Sequence, residues 1–179
     1  MRVIAGTARG VPLVAPRGSS TRPITDRVKE TLFAILADRV PDARALDLYA
    51  GSGAIGIEAL SRGATSVDFV ERDRAALTAL RRNLERTRLD EGGVVHAVDV
   101  ERFLAEDRGP WDLAFVDPPY EVRDIVAPLR ALAPRLAPGA SVVIKHFWRT
   151  ELPVVEGLAP ERERRFGETT LSFLEVERA

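Results

Sequence analysis

The sequence predicts an α/β fold, an open and mostly parallel sheet of about seven strands alternating with helices. Three observations predict it. From Arg44 onward, short apolar runs of strand character alternate with amphipathic stretches at helical spacing, the pattern of βαβ units. The first run, Ala45–Tyr49, breaks at Gly51 and Gly53 and resumes as a helix of small and apolar residues, the strand–glycine turn–helix order by which such sheets build a nucleotide pocket. The run Leu113-Ala114-Phe115-Val116 is apolar without alternation, as a strand covered on both faces is.

In chain order, Arg2–Ala5 and Val11–Val14 flank a five-residue connection with glycine at both ends and read as a β-hairpin, with Pro12 confining its second strand to an edge. A turn-rich basic loop, 16–23, follows. Thr25 is placed to cap a helix over 26–38 with Val28, Leu32, Ile35 and Leu36 on one face. Strands are expected at 45–49, 66–71, 94–98, 112–117 and 140–146, and helices at 54–62, 73–87, 100–106 and 122–135. In 73–87 the buried stripe is Leu77, Leu80 and Leu84. The segments 161–165 and 169–176 around Gly167 read as an antiparallel hairpin on the sheet edge. No internal repeat or linker divides the series, which gives a basic extension, 1–24, and one globular unit, 25–179.

The 179 residues are 45% hydrophobic and 30% charged, ordinary for a globular protein in water. No apolar run approaches the roughly 18–20 residues of a membrane-spanning helix, and the N-terminus lacks a secretory signal, so a cytoplasmic protein without membrane contact is expected. With no cysteine there is no disulfide framework, thiolate nucleophile or thiolate metal site, and no cluster has metal-ligand spacing. The net charge of −1 hides an asymmetry. Residues 1–29 carry Arg2, Arg9, Arg17, Arg22, Arg27 and Lys29 against Asp26 alone, a net +5, and the remainder carries −6. A basic end suits a phosphate-rich partner, or equally a solvated arm.

Ligands of open sheets bind at the carboxyl ends of the strands, so what each strand delivers there is informative. The first delivers Asp47 and the glycine loop, in which Gly51, Gly53 and Gly56 satisfy G-x-G-x-x-G. A pyrophosphate at that loop would be repelled by Asp47, whereas a cationic ligand would be favoured. The second delivers Glu71, 18 residues after Gly53, where a carboxylate can accept from both ribose hydroxyls; Asp73 reads as the cap of the next helix. The third delivers Asp99, either an acceptor for an adenine amino group or a helix cap.

The fourth delivers Asp117-Pro118-Pro119-Tyr120. The exocyclic amino group of a base is a poor nucleophile because its lone pair is delocalised into the ring. The Asp117 carboxylate and the Pro118 carbonyl can accept its two N–H groups, hold the nitrogen towards sp³ geometry and aim the lone pair at an electrophile. Proline fixes φ and has no N–H, so the acceptors stay in place, and Tyr120 can stack on the base. The effects invoked are positioning and acceptance of charge developing on nitrogen.

With Asp117–Tyr120 and Asp47-x-x-x-Gly51-Ser52-Gly53 together, the chain resembles the amino-group methyltransferases that use S-adenosylmethionine. Arg22–Phe33, Leu46–Gly53, Glu58–Ala64 and Phe69–Glu71 are similar to signatures of one subgroup, the bacterial RsmD-type 16S rRNA guanine-N2 methyltransferases. The resemblance implies a Rossmann-like methyltransferase fold with an antiparallel last strand, S-adenosylmethionine as cofactor and a guanine of small-subunit ribosomal RNA as target. It implies a catalytic loop at Asp117, Pro118, Pro119 and Tyr120. The implied cofactor pocket comprises Arg22, Thr25, Arg27, Asp47, Tyr49, Gly51, Ser52, Gly53, Glu71, Arg72, Asp99, Val100 and Asp117. Arg2, Arg9, Arg17 and Arg22 would face RNA. A monomer acting on 16S rRNA within a small-subunit assembly particle is expected. Lys145-His146 at the end of the fifth strand departs from the subgroup, where an acidic residue is expected, and residues 150–179 match least. The same tetrapeptide serves adenine-N6 enzymes and glutamine-amide enzymes, and a nicotinamide oxidoreductase would leave it unused. His96 and His146 read as structural, and Trp111 and Trp148 as packing residues.

Overall fold

The computed structural model describes residues 1–16, 24–119 and 125–177 of the chain. The strands are β1 (Arg44–Leu48), β2 (Ser66–Glu71), β3 (Gly93–Ala97), β4 (Trp111–Val116), β5 (Leu136–Phe147), β6 (Leu158–Phe166) and β7 (Thr169–Val176). They form one sheet in the order β3-β2-β1-β4-β5-β7-β6. β1 pairs in parallel with β2 and β4, β2 with β3, and β4 with β5; β7 is antiparallel to both β5 and β6. The order reverses between β1 and β4, and a switch point of that kind opens a crevice beyond the carboxyl ends of those two strands.

The helices are α1 (Asp26–Ile35), α2 (Ala54–Ser61), α3 (Arg74–Thr87), α4 (Val100–Leu104) and α5 (Val126–Leu132). Side chains alternate between the two faces of each strand, so β4 feeds two cores. Leu113 and Phe115 join the cluster under α1, α2 and α3, while Ala114 and Val116 join the one under α4 and α5. All four are at most 1% exposed, as the unbroken apolar run requires. No helix among the described residues is long and apolar enough to cross a membrane.

Several elements differ from expectation for visible reasons. α1 ends at Ile35, and a 3₁₀ turn, Ala37–Arg39, swings Arg39 across to the sheet edge. There its guanidinium donates to Ser141 Oγ (2.7 Å) and to both Glu161 oxygens (2.8 and 2.9 Å). α5 is shorter than 122–135, and residues 120–124 lie outside the described residues.

The N-terminal strands reduce to a single bridge, Arg2 with Pro12, flanked by Val3–Val11 and Leu13–Met1 backbone bonds. Backbone donors that would extend the ladder go elsewhere. Ile4 and Ala5 N–H donate to the Glu58 carboxylate (2.8 and 3.0 Å), and Val14 N–H to Asn83 Oδ1 (2.7 Å). Val3, Ala8 and Leu13 sink into the first core cluster. At Gly6, with φ +83°, an added Cβ would lie 1.6 Å from the Ser61 carbonyl oxygen, so glycine is what lets this turn close on α2.

Lys29 is fully buried in α1, donating to Arg2 O (2.6 Å) and paired with Glu58 (3.1 Å), and Arg2 pairs with Asp26 (3.3 Å). The basic count of residues 1–29 therefore overstates the charge that reaches the surface.

Candidate active site

The glycine loop is built by β1 ending one residue early. Tyr49 adopts φ +60°, Gly51 +56° and Gly53 +77°, turning the chain into α2. Gly56 has a different role. A Cβ there would lie 2.3 Å from the Phe69 ring, so its absence lets α2 lie directly on β2. Asn83 of α3 fastens the loop from below, donating to Ser52 O (2.9 Å) and Val14 O (3.0 Å), and so ties the hairpin to the loop.

Asp47 is 1% exposed, and its carboxylate accepts from Gly56 N–H at 2.9 Å. Burial pushes its carboxyl well above the usual carboxylate range; the Gly56 bond opposes this, and the negative charges of Asp117 and Glu71 add to it. These three carboxylates, from the ends of β1, β2 and β4, therefore share one site.

Glu71 accepts from Gly51 N–H (2.8 Å) through one oxygen and from Arg72 and Asp73 N–H (both 2.8 Å) through the other. It latches the glycine loop to the end of β2, a role additional to the ribose contact expected of it. Asp99 caps α4, accepting from Arg102 N–H at 2.9 Å, and Asp73 caps α3 through Ala76 N–H at 2.8 Å. Thr25 caps α1 through Val28 N–H at 3.3 Å. Val100, the first residue of α4, is buried in the second core cluster, Tyr49 packs against the same cluster, and Arg27 and Arg72 are exposed. Arg2 and Arg9 are exposed on the hairpin. Arg17, Arg22 and Tyr120 lie outside the described residues.

Asp117 follows β4 directly, with Pro118 and Pro119 half-buried behind it. Its carboxylate is held by Lys145 of β5, whose Nζ lies 2.7 and 2.8 Å from the two oxygens. Both side chains are largely covered, at 25% and 19% exposure. Burial raises the Asp117 carboxyl above its ordinary range and the Lys145 charge pulls it back. A carboxylate has about four lone-pair sites. Lys145 takes two and fixes the carboxylate plane, leaving two for N–H groups of another molecule.

Lys145 is a residue of the candidate site that sequence reasoning missed. It stood out only as a departure, and the available signal was its place on the strand neighbouring β4. Asn83 was missed too, although it is a polar residue inside the predicted apolar stripe of its helix.

The donor set suits a cationic ligand. Burial and like charge hold the Asp47 carboxyl up, a cation bound beside it would favour its ionised form, and a pyrophosphate would push it further up. A Cβ on Gly51 would meet nothing within 4 Å, so the loop presents bare backbone to open space.

The two histidines are bonded within the fold. His96 Nε2 lies 2.7 Å from Asp68, which also accepts from Trp111 Nε1 at 2.8 Å, and His146 Nε2 lies 2.8 Å from Ser172 Oγ. Trp111 is a core residue, 1% exposed. Trp148 is half-buried beyond the end of β5, where it packs against Phe147 and stacks with two arginines. The sequence gives no sign of this, because the arginine that reaches it from β6 is 17 positions away.

The family model described as conserved hypothetical protein 95 matches residues 1–175. The YlbH protein of Bacillus subtilis is 38% identical over 179 residues, 97% of each chain. Ribosomal RNA small subunit methyltransferase D of Escherichia coli is 44% identical over 120 residues, 67% of this chain and 60% of that protein. A solved structure of the E. coli methyltransferase yhhF superposes with a TM-score of 0.90 at 36% identity, covering 100% of this chain and 99% of that one.

Proposed function

Since the chain belongs to the conserved hypothetical protein 95 family, with ribosomal RNA small subunit methyltransferase D among its relatives, we propose that it methylates the exocyclic N2 amino group of a guanine in 16S rRNA, using S-adenosylmethionine. The observation that carries this reading is Asp117-Pro118-Pro119 at the sheet's switch point, facing the glycine loop across a crevice that favours cations.

S-adenosylmethionine, when bound, supplies an electrophilic methyl group on a sulfonium. Asp47, Gly51, Ser52, Gly53, Glu71, Asp99 and Val100 are the residues that would hold it, with Thr25 and Arg27 at its methionine end. The chain's own work concerns the amino group. Asp117 and the Pro118 carbonyl accept its two N–H bonds and turn its lone pair outward. Lys145 favours the ionised form of Asp117 and holds it in one orientation, so the acceptor needs little reorganisation as positive charge develops on nitrogen. The excess proton then passes to Asp117 or to water. A guanine inside a helix cannot reach this geometry, so the base is turned out of its stack. Arg9 and Arg2 on the hairpin contact the surrounding RNA.

The test is to delete the gene, locate the methyl group missing from 16S rRNA by mass spectrometry, and complement the strain. The wild-type gene should restore one N2-methylguanine. Asp117→Ala should restore none, while the purified variant still binds S-adenosylmethionine. Unaltered 16S rRNA in the deletion strain would refute the substrate assignment, and full activity of Asp117→Ala would refute the catalytic one.

A further inference from the structure

We infer that Trp148, Arg149 and Arg165 form a phosphate-binding surface for the RNA strand that carries the target base; this rests on the function proposed above. β5 ends with His146 and Phe147 after Lys145, which holds Asp117, and Trp148 is the next residue. Trp148 N–H donates to Glu168 O (2.9 Å), which fixes the residue against the β6–β7 turn. The guanidinium carbon of Arg165 lies 4.0 Å from the Trp148 ring centroid, and that of Arg149 lies 4.5 Å away. Arg165 is further anchored by its Nε–H bond to Gly167 O (2.8 Å).

Two guanidiniums brought to one ring repel each other, and each cation–π contact offsets only about 0.5–1 kcal/mol at an exposed site. Among the described residues neither forms an ion pair; the sheet-edge Arg39, by contrast, is matched by Glu161 and Glu175. A doubly cationic stack built without a counterion is completed by an anion, and guanidinium planes match phosphate oxygens in paired hydrogen bonds.

Its position selects the kind of anion. Three residues of extended chain span roughly 10 Å, so the stack stands about that far beyond Lys145, at the same carboxyl edge of the sheet as Asp117. A base held at Asp117 leaves its flanking phosphates on that edge. The N-terminal hairpin with Arg9 is docked on α2 and α3, over the β1–β2 half of the sheet, whereas the stack stands over the β5–β6 half. The stack is thus a basic element separate from the hairpin, whose turn rests on Ser61 at the far end of α2, and contacts of this sort fix the register of a nucleic acid without reading its sequence.

The test compares the full-length protein with Arg149→Gln/Arg165→Gln, and with Arg149→Gln alone, for binding to small ribosomal subunits from the deletion strain between 50 and 200 mM KCl. S-adenosylmethionine affinity by calorimetry serves as the check on folding. Each lost phosphate contact lowers the salt slope by about 0.7–0.9. The double variant should therefore lose about 1.5 from the slope, and the binding advantage of low salt over that range should shrink about tenfold, with cofactor affinity unchanged. An unchanged slope overturns the inference. Weaker binding with an unchanged slope also overturns it, because it places a protein rather than a phosphate at the stack. If wild-type protein methylates the subunits while the double variant keeps its slope, this inference alone fails. If wild-type protein neither binds nor methylates them, the functional reading fails with it.

Discussion

Asp117 and Lys145 set the chemistry at the scale of single residues. Burial favours the neutral form of Asp117, which would donate one hydrogen bond where the target amino group needs acceptors, and the charge of Lys145 opposes this and favours the ionised form. The charges that face Asp117 are Lys145 from β5 and, from β1, Asp47. Lys145→Met removes the favourable one among the described residues, so the Asp117 carboxyl moves further up and the acid limb of the pH–rate profile moves to higher pH. The loss of two charge-assisted hydrogen bonds should lower kcat/KM about tenfold or more near neutrality, and Lys145→Arg should recover most of it. A profile unmoved by Lys145→Met would remove Lys145 from the mechanism. Lys145 was visible in the sequence only as an anomaly, since which strand lies beside β4 is a fact of topology.

Among the elements, the unusual junction is the one that joins the N-terminal hairpin to α1 and α2. Glu58, fully buried, accepts from Ile4 N–H, Ala5 N–H, Lys29 Nζ and Arg62 Nε. Burial pulls the Lys29 ammonium below its ordinary value and Glu58 opposes this. Glu58→Ala would strand Lys29 as an unpaired buried charge, at a cost of about 3–5 kcal/mol, measurable by urea unfolding. The sign of the accompanying pH dependence follows from linkage. With its folded pKa lowered further, Lys29 binds fewer protons folded than unfolded, so the variant should regain stability as pH rises towards 10.5. A variant as stable as wild type at pH 7 would show the junction to be incidental. The helices themselves were legible from periodicity, but the hairpin's strands were not. Their backbone donors are taken by Glu58 and Asn83, whose side chains lie more than fifty positions away in sequence.

At the level of the whole molecule, three strand-end carboxylates converge on the crevice although the net charge is only −1, and a cation among them would relieve the burial and like charge that raise Asp47. S-adenosylmethionine at one hundred times its Kd should stabilise the fold by about 2.7 kcal/mol, a rise in Tm on the order of 5–10 °C for a chain of this size. NAD at the same concentration should leave Tm unchanged, and a larger shift with NAD would reverse the ligand assignment. By itself the sequence determined the α/β class, the strand–glycine turn–helix, the caps at Thr25 and Asp73, and the candidate site residues. Those features are written in neighbouring residues, through hydrophobic period, turn chemistry and motif spacing. Only the tertiary structure decided that Lys145 holds Asp117, that Lys29 points inward, and that Trp148 gathers Arg149 and Arg165. Each of these pairs charge or ring across elements that only sheet order brings together, and a charge separated in sequence reveals neither its burial nor its partner until the chain has folded.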